Sequence, residues 1–153
     1  MKFNNHMDVA LEEANSAAAR GEVPVGAVLV DQGGQVIAKA GNRTRELSDP
    51  TAHAEMQVIR EAASLLGSER LTGMSLYVTL EPCAMCAAAI AAARIARLYF
   101  GASDPKSGGV AHGARVFSHP QAHHVPEVYD GIGEDAAAEL LRDFFRQRRG
   151  DES

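Results

Sequence analysis

The chain has only two cysteines, Cys83 and Cys86, which stand three residues apart directly after a glutamate and a proline. On a helix this spacing brings both thiols to one face, and the positive end of the helix dipole favours the thiolate form. Two thiolates do not complete the tetrahedral shell that zinc prefers. The best-placed third ligand is His53, which opens another predicted helix in the sequence PTAHAEM. Three protein ligands leave one position for water, which is typical of a catalytic site.

Glu55 follows His53 by two residues, about 200° around a helix, and is therefore poorly aimed to bind the same metal ion. It is better placed beside a bound water. Zn²⁺ with two thiolates and a neutral imidazole has no net charge, so it is a weaker Lewis acid than a three-histidine site. We therefore expect Glu55 to take a proton from water and pass it to a departing nitrogen.

The cysteine pair by itself leaves other interpretations open. A single CxxC is also typical of a dithiol redox pair, or of half of a structural zinc site shared between two chains. Its combination with His-x-Glu, which lies ahead of Pro-Cys-x-x-Cys in the chain, is a more specific signal. A second group, His119, His123 and His124, lies in a long loop and is interpreted as solvated or purine-contacting rather than metal-binding. His112 carries no signal of function.

The elements that must position these residues alternate between helices and strands. Periodicity and turn residues predict helices over 5–20, 53–67, 83–95 and 134–149, and strands over 24–30, 35–40, 75–80, 97–102 and, weakly, 125–129. Pro82 is expected at the first position of the third helix. The first two strands form a hairpin and the later crossovers are parallel, so we expect one three-layer α/β/α domain over residues 1–153 with a central five-stranded mixed sheet.

Composition limits the possible function classes. The chain has 153 residues, 46% of them apolar, and 15 Lys and Arg against 20 Asp and Glu, for a formal net charge of −5. This charge does not indicate a polyanionic partner, so any nucleic-acid interaction has to depend on local charge. No segment near the start is apolar enough for a signal peptide or a membrane span, and we expect a cytoplasmic protein that does not interact with membranes.

Several segments resemble a known family well beyond the metal motif. They are GEVPVGAVLV, GN at 41–42, DPTAHAEM, LYVTLEPCAMC, RI at 94–95, FGASDPKSG and LLRDFFRQRR. Together they resemble the zinc-dependent nucleoside deaminase superfamily and, within it, the bacterial tRNA-specific adenosine deaminases. The resemblance implies a cytidine-deaminase-like fold and one Zn²⁺ per subunit. It also implies hydrolysis of adenosine to inosine at the wobble position of a tRNA anticodon, in which a zinc-bound hydroxide attacks the purine and Glu55 shuttles protons.

The same resemblance suggests residues that bind the substrate. Asn42 is similar to a loop asparagine that hydrogen-bonds the target nucleoside. Val25 and Ala27 would shape the pocket floor or, as strand residues, belong to the ordinary core. Asp104 and Lys106, in the matching segment FGASDPKSG, are expected to contact the substrate.

Local basic patches make an RNA partner reasonable despite the acidic total. The last predicted helix has a formal charge of +3 around its four arginines and Asp143; the arginines are Arg142, Arg146, Arg148 and Arg149. A second group has a formal charge of +2 and consists of Arg94, Arg97, Lys106 and Asp104. Phe144 and Phe145 lie among the helical arginines, and this mixture suits phosphate contact and base stacking, with one Phe expected in the core. We therefore expect Phe145 and Arg148 to contact a tRNA anticodon stem-loop. The resemblance also implies a homodimer that builds the RNA surface together.

Two departures and two rival functions remain. The chain has KSGGVAHGARVF where the family is expected to show a KTGAAGS-like sequence, and Ala88 where related chains often have glycine. One rival is deamination of a free nucleobase or small amino-heterocycle such as guanine or cytosine, which would need no basic surface. The other is a zinc-stabilised or redox binding module without catalysis, which would not need Glu55.

Overall fold

The computed structural model describes residues 5–152, with side chains from 6 to 148. The helices and strands follow one another in the order α1 (Asn5–Ala19), β1 (Gly26–Val30), β2 (Val36–Gly41), α2 (Ala54–Leu66), β3 (Ser75–Leu80), α3 (Ala84–Ala92), β4 (Arg97–Ala102), β5 (Glu127–Tyr129) and α4 (Glu134–Glu152). A short 3₁₀ turn, Val116–Ser118, lies in the long loop before β5. The predicted order of elements is confirmed throughout this range.

The strands form one five-stranded sheet in the order β2-β1-β3-β4-β5. β1 is antiparallel to both β2 and β3, whereas β3, β4 and β5 run parallel to one another. The hairpin connection accounts for the first pair, and α3 is the crossover that makes β3 and β4 parallel. The predicted mixed sheet is therefore confirmed.

The central strand β1 shows why helices cover both faces of the sheet. All five of its residues are buried. Successive side chains of a strand point to opposite faces. Ala27 and Leu29 belong to the main core with α2 and α3 residues, whereas Val28 and Val30 pack with Met7 and Ala10 of α1. The result is a three-layer α/β/α domain, as expected.

Helix α1 approaches the hairpin so closely that glycine is required at the contact. A Cβ atom on Gly26 would overlap the carbonyl oxygen of Ala10, and one on Gly41 would lie 2.6 Å from the carbonyl oxygen of Glu13. Any larger residue would therefore push α1 away from the sheet. This contact fixes the end of β2, directly before Asn42.

Two predicted boundaries around α3 are wrong. The helix begins after Cys83, whose backbone is extended with ψ of 175°, so Pro82 precedes the helix rather than occupying its first position. The helix also ends at Ala92 instead of continuing to residue 95, because Arg94 adopts a left-handed conformation with φ of 64°. Among residues 5–152, no helix has the length and apolar character needed to cross a membrane.

Candidate metal centre and substrate groove

Three side chains converge where two helices begin. His53 is the N-cap residue of α2, Cys83 is the N-cap residue of α3, and Cys86 lies in the first turn of α3. The Nδ1 atom of His53 lies 3.7 Å from the Cys83 sulfur and 3.5 Å from the Cys86 sulfur. With tetrahedral angles and usual zinc bond lengths, a nitrogen and a sulfur ligand are about 3.6 Å apart. The geometry therefore fits zinc, with Nδ1 facing the metal position.

These residues form the only group of this kind among the described residues, with all ligand atoms within 4.8 Å of one another. One imidazole and two sulfurs are donors that zinc prefers. The second histidine group predicted from the sequence does not assemble: His119 bonds the carbonyl of Ala114, and His124 bonds that of Ile95. Both imidazoles are therefore bonded to backbone carbonyls.

Contacts within the group shift the pKa values of all three side chains. The contact with Cys86 lowers the pKa of Cys83 to about 4, with burial acting in the opposite direction and His53 helping to lower it. The same contact, together with burial, raises the pKa of Cys86. A hydrogen bond to Cys83 raises the pKa of His53. The group thus stabilises negative charge on the Cys83 sulfur, and a thiolate is the form in which cysteine binds a divalent cation.

Glu55 is the second residue of α2 and is 3% exposed. Burial raises the pKa of its carboxyl to about 7, with His53 and the Cys86 thiol acting in the opposite direction. Glu55 is not part of the metal-binding group of the described residues. A nearly dry carboxyl with a raised pKa, next to a metal position, is suited to accept and return a proton near neutral pH.

The side chain of Asn42 is fixed by the backbone around the site. Its Oδ1 atom accepts a hydrogen bond from the Ala54 N–H at 2.8 Å, at the start of α2. Its own N–H donates to Val25, and its carbonyl accepts from Arg20. Among the hydrogen bonds of residues 5–152, none uses the Nδ2 group. Asn42 therefore keeps a donor free at the metal-bearing end of α2.

A groove of about 750 Å³ lies beside the sheet ends. Its lining comes from the segment before β1, from β3, from the loop after β4 and from α4, and comprises Val23, Leu80, Ser103, Asp104, Lys106, Ser107, Leu141, Arg142, Phe145 and Arg146. Three residues predicted to bind substrate, Asp104, Lys106 and Phe145, are thus brought together. Two of the terminal arginines join them.

The aromatic pair of α4 divides as expected. Phe144 is 9% exposed and belongs to the interior, whereas Phe145 is 44% exposed. The guanidinium of Arg148 lies 5.2 Å above the ring of Phe144 and does not line the groove. The side chain of Arg149 lies outside the described residues.

The two arginines of the second predicted basic patch form hydrogen bonds within the protein. Arg94 donates to the carbonyls of Ala91 and Ala92. Arg97 donates to Ser75 and Gly73. Guanidinium groups engaged in this way have fewer donors left for phosphate.

Two predicted pocket residues lie in the core. Ala27 is fully buried and Val25 is 6% exposed, and both belong to the main apolar cluster. Val25 also accepts the backbone hydrogen bond from Asn42. The structure therefore places both residues in the core, and of the two it is Val25 that is hydrogen-bonded to Asn42.

Sequence reasoning missed the buried carboxylate of Glu81, which follows β3 directly. It is 2% exposed and accepts hydrogen bonds from the loop after β4, including one from the His112 ring. Burial raises the pKa of Glu81, but the bonds from the Asp104 N–H and from His112 lower it, and the net shift is downward. A glutamate directly before Pro-Cys, with a Gly-Gly pair farther along, was the available signal.

Comparison with known proteins identifies the family. Residues 2–102 match the cytidine and deoxycytidylate deaminase zinc-binding region. A tRNA-specific adenosine deaminase of Agrobacterium fabrum is 62% identical over 146 residues, which cover 95% of each chain. The enzyme of the same name from Rickettsia bellii is 46% identical over 144 residues, covering 94% of this chain and 99% of the relative.

A solved structure from work on A-to-I editing by tRNA:A34 deaminases superimposes with a TM-score of 0.88 at 62% identity. The match covers 90% of this chain and 99% of the other. With the sheet order, the histidine and cysteine group and these relatives established, the chain belongs to the tRNA-specific adenosine deaminases of the zinc-binding cytidine and deoxycytidylate deaminase family.

Proposed function

We propose that this protein hydrolyses adenosine to inosine at the wobble position of a tRNA anticodon and releases ammonia. The observation that carries the proposal is the buried carboxyl of Glu55 next to the converging His53, Cys83 and Cys86. Those three side chains would hold one zinc ion per subunit. Similarity to the relatives described above supports the choice of substrate.

The chemistry divides between the metal and the protein. Zinc held by His53, Cys83 and Cys86 would supply the Lewis acidity that activates a water molecule. Glu55 accepts a proton from that water and delivers it to the amino nitrogen that leaves the purine. Oxygen thereby replaces nitrogen on carbon 6, and one water is consumed for each ammonia released. The low exposure of Glu55 excludes bulk water from this exchange.

Asn42 would orient the nucleoside. Because its Oδ1 atom is held by the Ala54 N–H, its amide nitrogen has a fixed direction and acts as a donor. An acceptor atom of the target nucleoside would receive this hydrogen bond. Val25 and Ala27 would act indirectly, by forming the apolar base on which Asn42 and α2 are held.

The groove would bind the RNA next to the flipped base. Arg142, Arg146 and Lys106 provide positive charge, and the exposed ring of Phe145 provides a stacking surface. The position of Arg148 over Phe144 supports a role in stiffening the end of α4 rather than a contact inside the groove. Asp104 would fix the loop that presents Lys106, since it accepts the Lys106 and Ser107 N–H groups.

We also propose that the protein is a homodimer. Leu65 and Leu66, at the end of α2, are 66% and 46% exposed, and burial of such side chains against a second copy would be favourable. Sedimentation should then give twice the 16.2 kDa of the chain. A monomeric mass at micromolar concentration would contradict the dimer.

A cytoplasmic location is proposed as well, supported by the tRNA substrate. Cell fractionation should recover the protein in the cytoplasmic fraction, together with tRNA.

The substrate can be tested by comparing matched molecules. The zinc-loaded protein is incubated with an anticodon stem-loop that carries adenosine at the wobble position, with the same stem-loop carrying guanosine there, and with free guanine and cytosine. Inosine should form only in the first RNA. Conversion of a free base with the RNA unchanged would overturn the proposal.

A further inference from the structure

The carboxylate of Glu81 accepts hydrogen bonds from five donors. Its side chain is fully buried. Oε1 accepts from the Asp104 N–H at 3.0 Å and from the His112 ring at 2.8 Å. Oε2 accepts from the N–H groups of Val110, Ala111 and His112 at 2.9–3.1 Å.

All five donors belong to one loop, residues 104–112, which is separated from Glu81 by at least 23 positions in the chain. The backbone of Glu81 is joined to the same region, because its N–H donates to Ala102 at 2.8 Å. A buried carboxylate is costly unless it is fully hydrogen-bonded. The loop therefore has one arrangement in which the carboxylate is satisfied.

The same loop packs against the start of α3, the helix that carries Cys86. The Gly109 N–H donates to the carbonyl of Pro82 at 2.8 Å. A Cβ atom on Gly109 would lie 2.5 Å from the Ala84 nitrogen, and one on Gly108 would overlap the Glu81 carboxylate. Both glycines are needed for this close approach. The Glu81 carboxylate thus joins the loop to the peptide segment that carries Cys83.

The loop also forms one wall of the groove, through Asp104, Lys106 and Ser107. We propose that Glu81 is a positioning residue, which sets where this wall stands relative to the metal centre and so determines how tightly the substrate RNA is held. The inference rests on the proposed function.

This role also accounts for the unusual sequence KSGGVAHGARVF. Val110 and Ala111 bind Glu81 through their backbone N–H groups, so other side chains can occupy those positions without loss of the contact. His112 contributes both its N–H and its ring. The histidine that carried no signal in the sequence thus supplies a side-chain donor of this network.

Hydrogen exchange on the zinc-loaded full-length protein tests the proposal without any RNA. Glu81→Gln places an amide donor among N–H donors and should speed exchange of the amides of 104–112 by about tenfold or more, while 84–92 keeps its protection. Zinc content should stay at one per chain. His112→Ala removes the ring donor alone and should give a smaller increase confined to 110–112. Glu69→Gln, an exposed carboxylate elsewhere, is the matched control and should change nothing.

Kinetics supply the second measurement. With the stem-loop substrate, Glu81→Gln should raise KM about tenfold and change kcat by less than about threefold, because the loop holds substrate but does not touch the reacting atoms. Unchanged loop exchange in both variants, or protection lost evenly over the whole domain, would overturn the proposal. If the wild-type protein failed to deaminate the stem-loop, the proposed function would be wrong. The hydrogen-exchange result would still test whether Glu81 holds the loop, because that experiment uses no RNA.

Discussion

Glu55 is a carboxyl group that has almost no contact with water yet lies next to the sulfur of a metal-binding cysteine. Replacing it by Gln preserves volume and removes the proton-transfer function. We expect zinc content to be unchanged and turnover of the stem-loop to fall by at least about 10²-fold, the usual contribution of a general base.

Glu61→Gln, an exposed carboxyl on the same helix, is the control for the Glu55 substitution and should retain activity. Metal analysis and an inosine assay give both results. Loss of zinc from Glu55→Gln would mean that Glu55 is a ligand, and full activity would remove it from the mechanism.

Asn42 allows its two functions to be separated. Asn42→Asp keeps an oxygen for the Ala54 N–H but removes the amide donor, whereas Asn42→Ala removes both. We expect Asn42→Asp to retain its thermal stability and lose about 10- to 100-fold in kcat/KM, the value of one buried hydrogen bond. Asn42→Ala should in addition be destabilised by about 1 kcal/mol, because the buried Ala54 N–H loses its acceptor. Equal activity of Asn42→Asp and wild type would exclude the donor role.

At the scale of elements, α3 ends in a Schellman motif. The Ile95 N–H donates to Ile90, and the Arg94 N–H donates to Ala91. Glycine usually occupies the left-handed position of this motif, but here it is Arg94, whose guanidinium also caps the carbonyls of Ala91 and Ala92.

These contacts predict an order of stability for variants of Arg94. Arg94→Ala keeps the unfavourable backbone conformation and loses the capping side chain, whereas Arg94→Gly loses the side chain but relieves the backbone. Arg94→Ala should therefore be less stable than Arg94→Gly by about 1 kcal/mol. Urea denaturation of both variants measures the difference, and the reverse order would contradict the explanation.

The elements also show what the sequence could predict. The bounds of β3 and β4 agree with the predicted 75–80 and 97–102 because both strands are short apolar runs with clear limits. The predicted end of α3 is wrong because an alanine-rich segment contains no residue that signals a helix end. The helix ends where Arg94 adopts a left-handed backbone conformation.

Among the site residues, the metal group could be predicted because each member opens a helix at a recognisable motif. The contacts of Glu81 could not, because their partners lie 23 to 31 positions away in an irregular loop. No local pattern encodes such a pairing. Asn42 was identified through a family resemblance, but the hydrogen bond that orients it required the structure.

At the scale of the whole molecule, the net charge of −5 conflicts with an RNA substrate unless positive charge is concentrated. The groove provides that concentration, since three cations, Arg142, Arg146 and Lys106, line it with one carboxylate, Asp104. Asp143 pairs with Arg146 at 3.2 Å, but both are exposed and such pairs are weak. Phosphate can therefore compete for Arg146.

Binding of the stem-loop should consequently weaken as salt is raised. Arg142→Ala and Arg146→Ala should each reduce the slope of log affinity against log salt concentration by about 1, because each removes about one phosphate contact. Lys39→Ala, an exposed cation on β2 away from the groove, should leave the slope unchanged. Fluorescence anisotropy at several salt concentrations measures all four proteins. If wild-type affinity did not depend on salt, or if Lys39→Ala changed the slope as much as the α4 variants, RNA would have to bind on another surface.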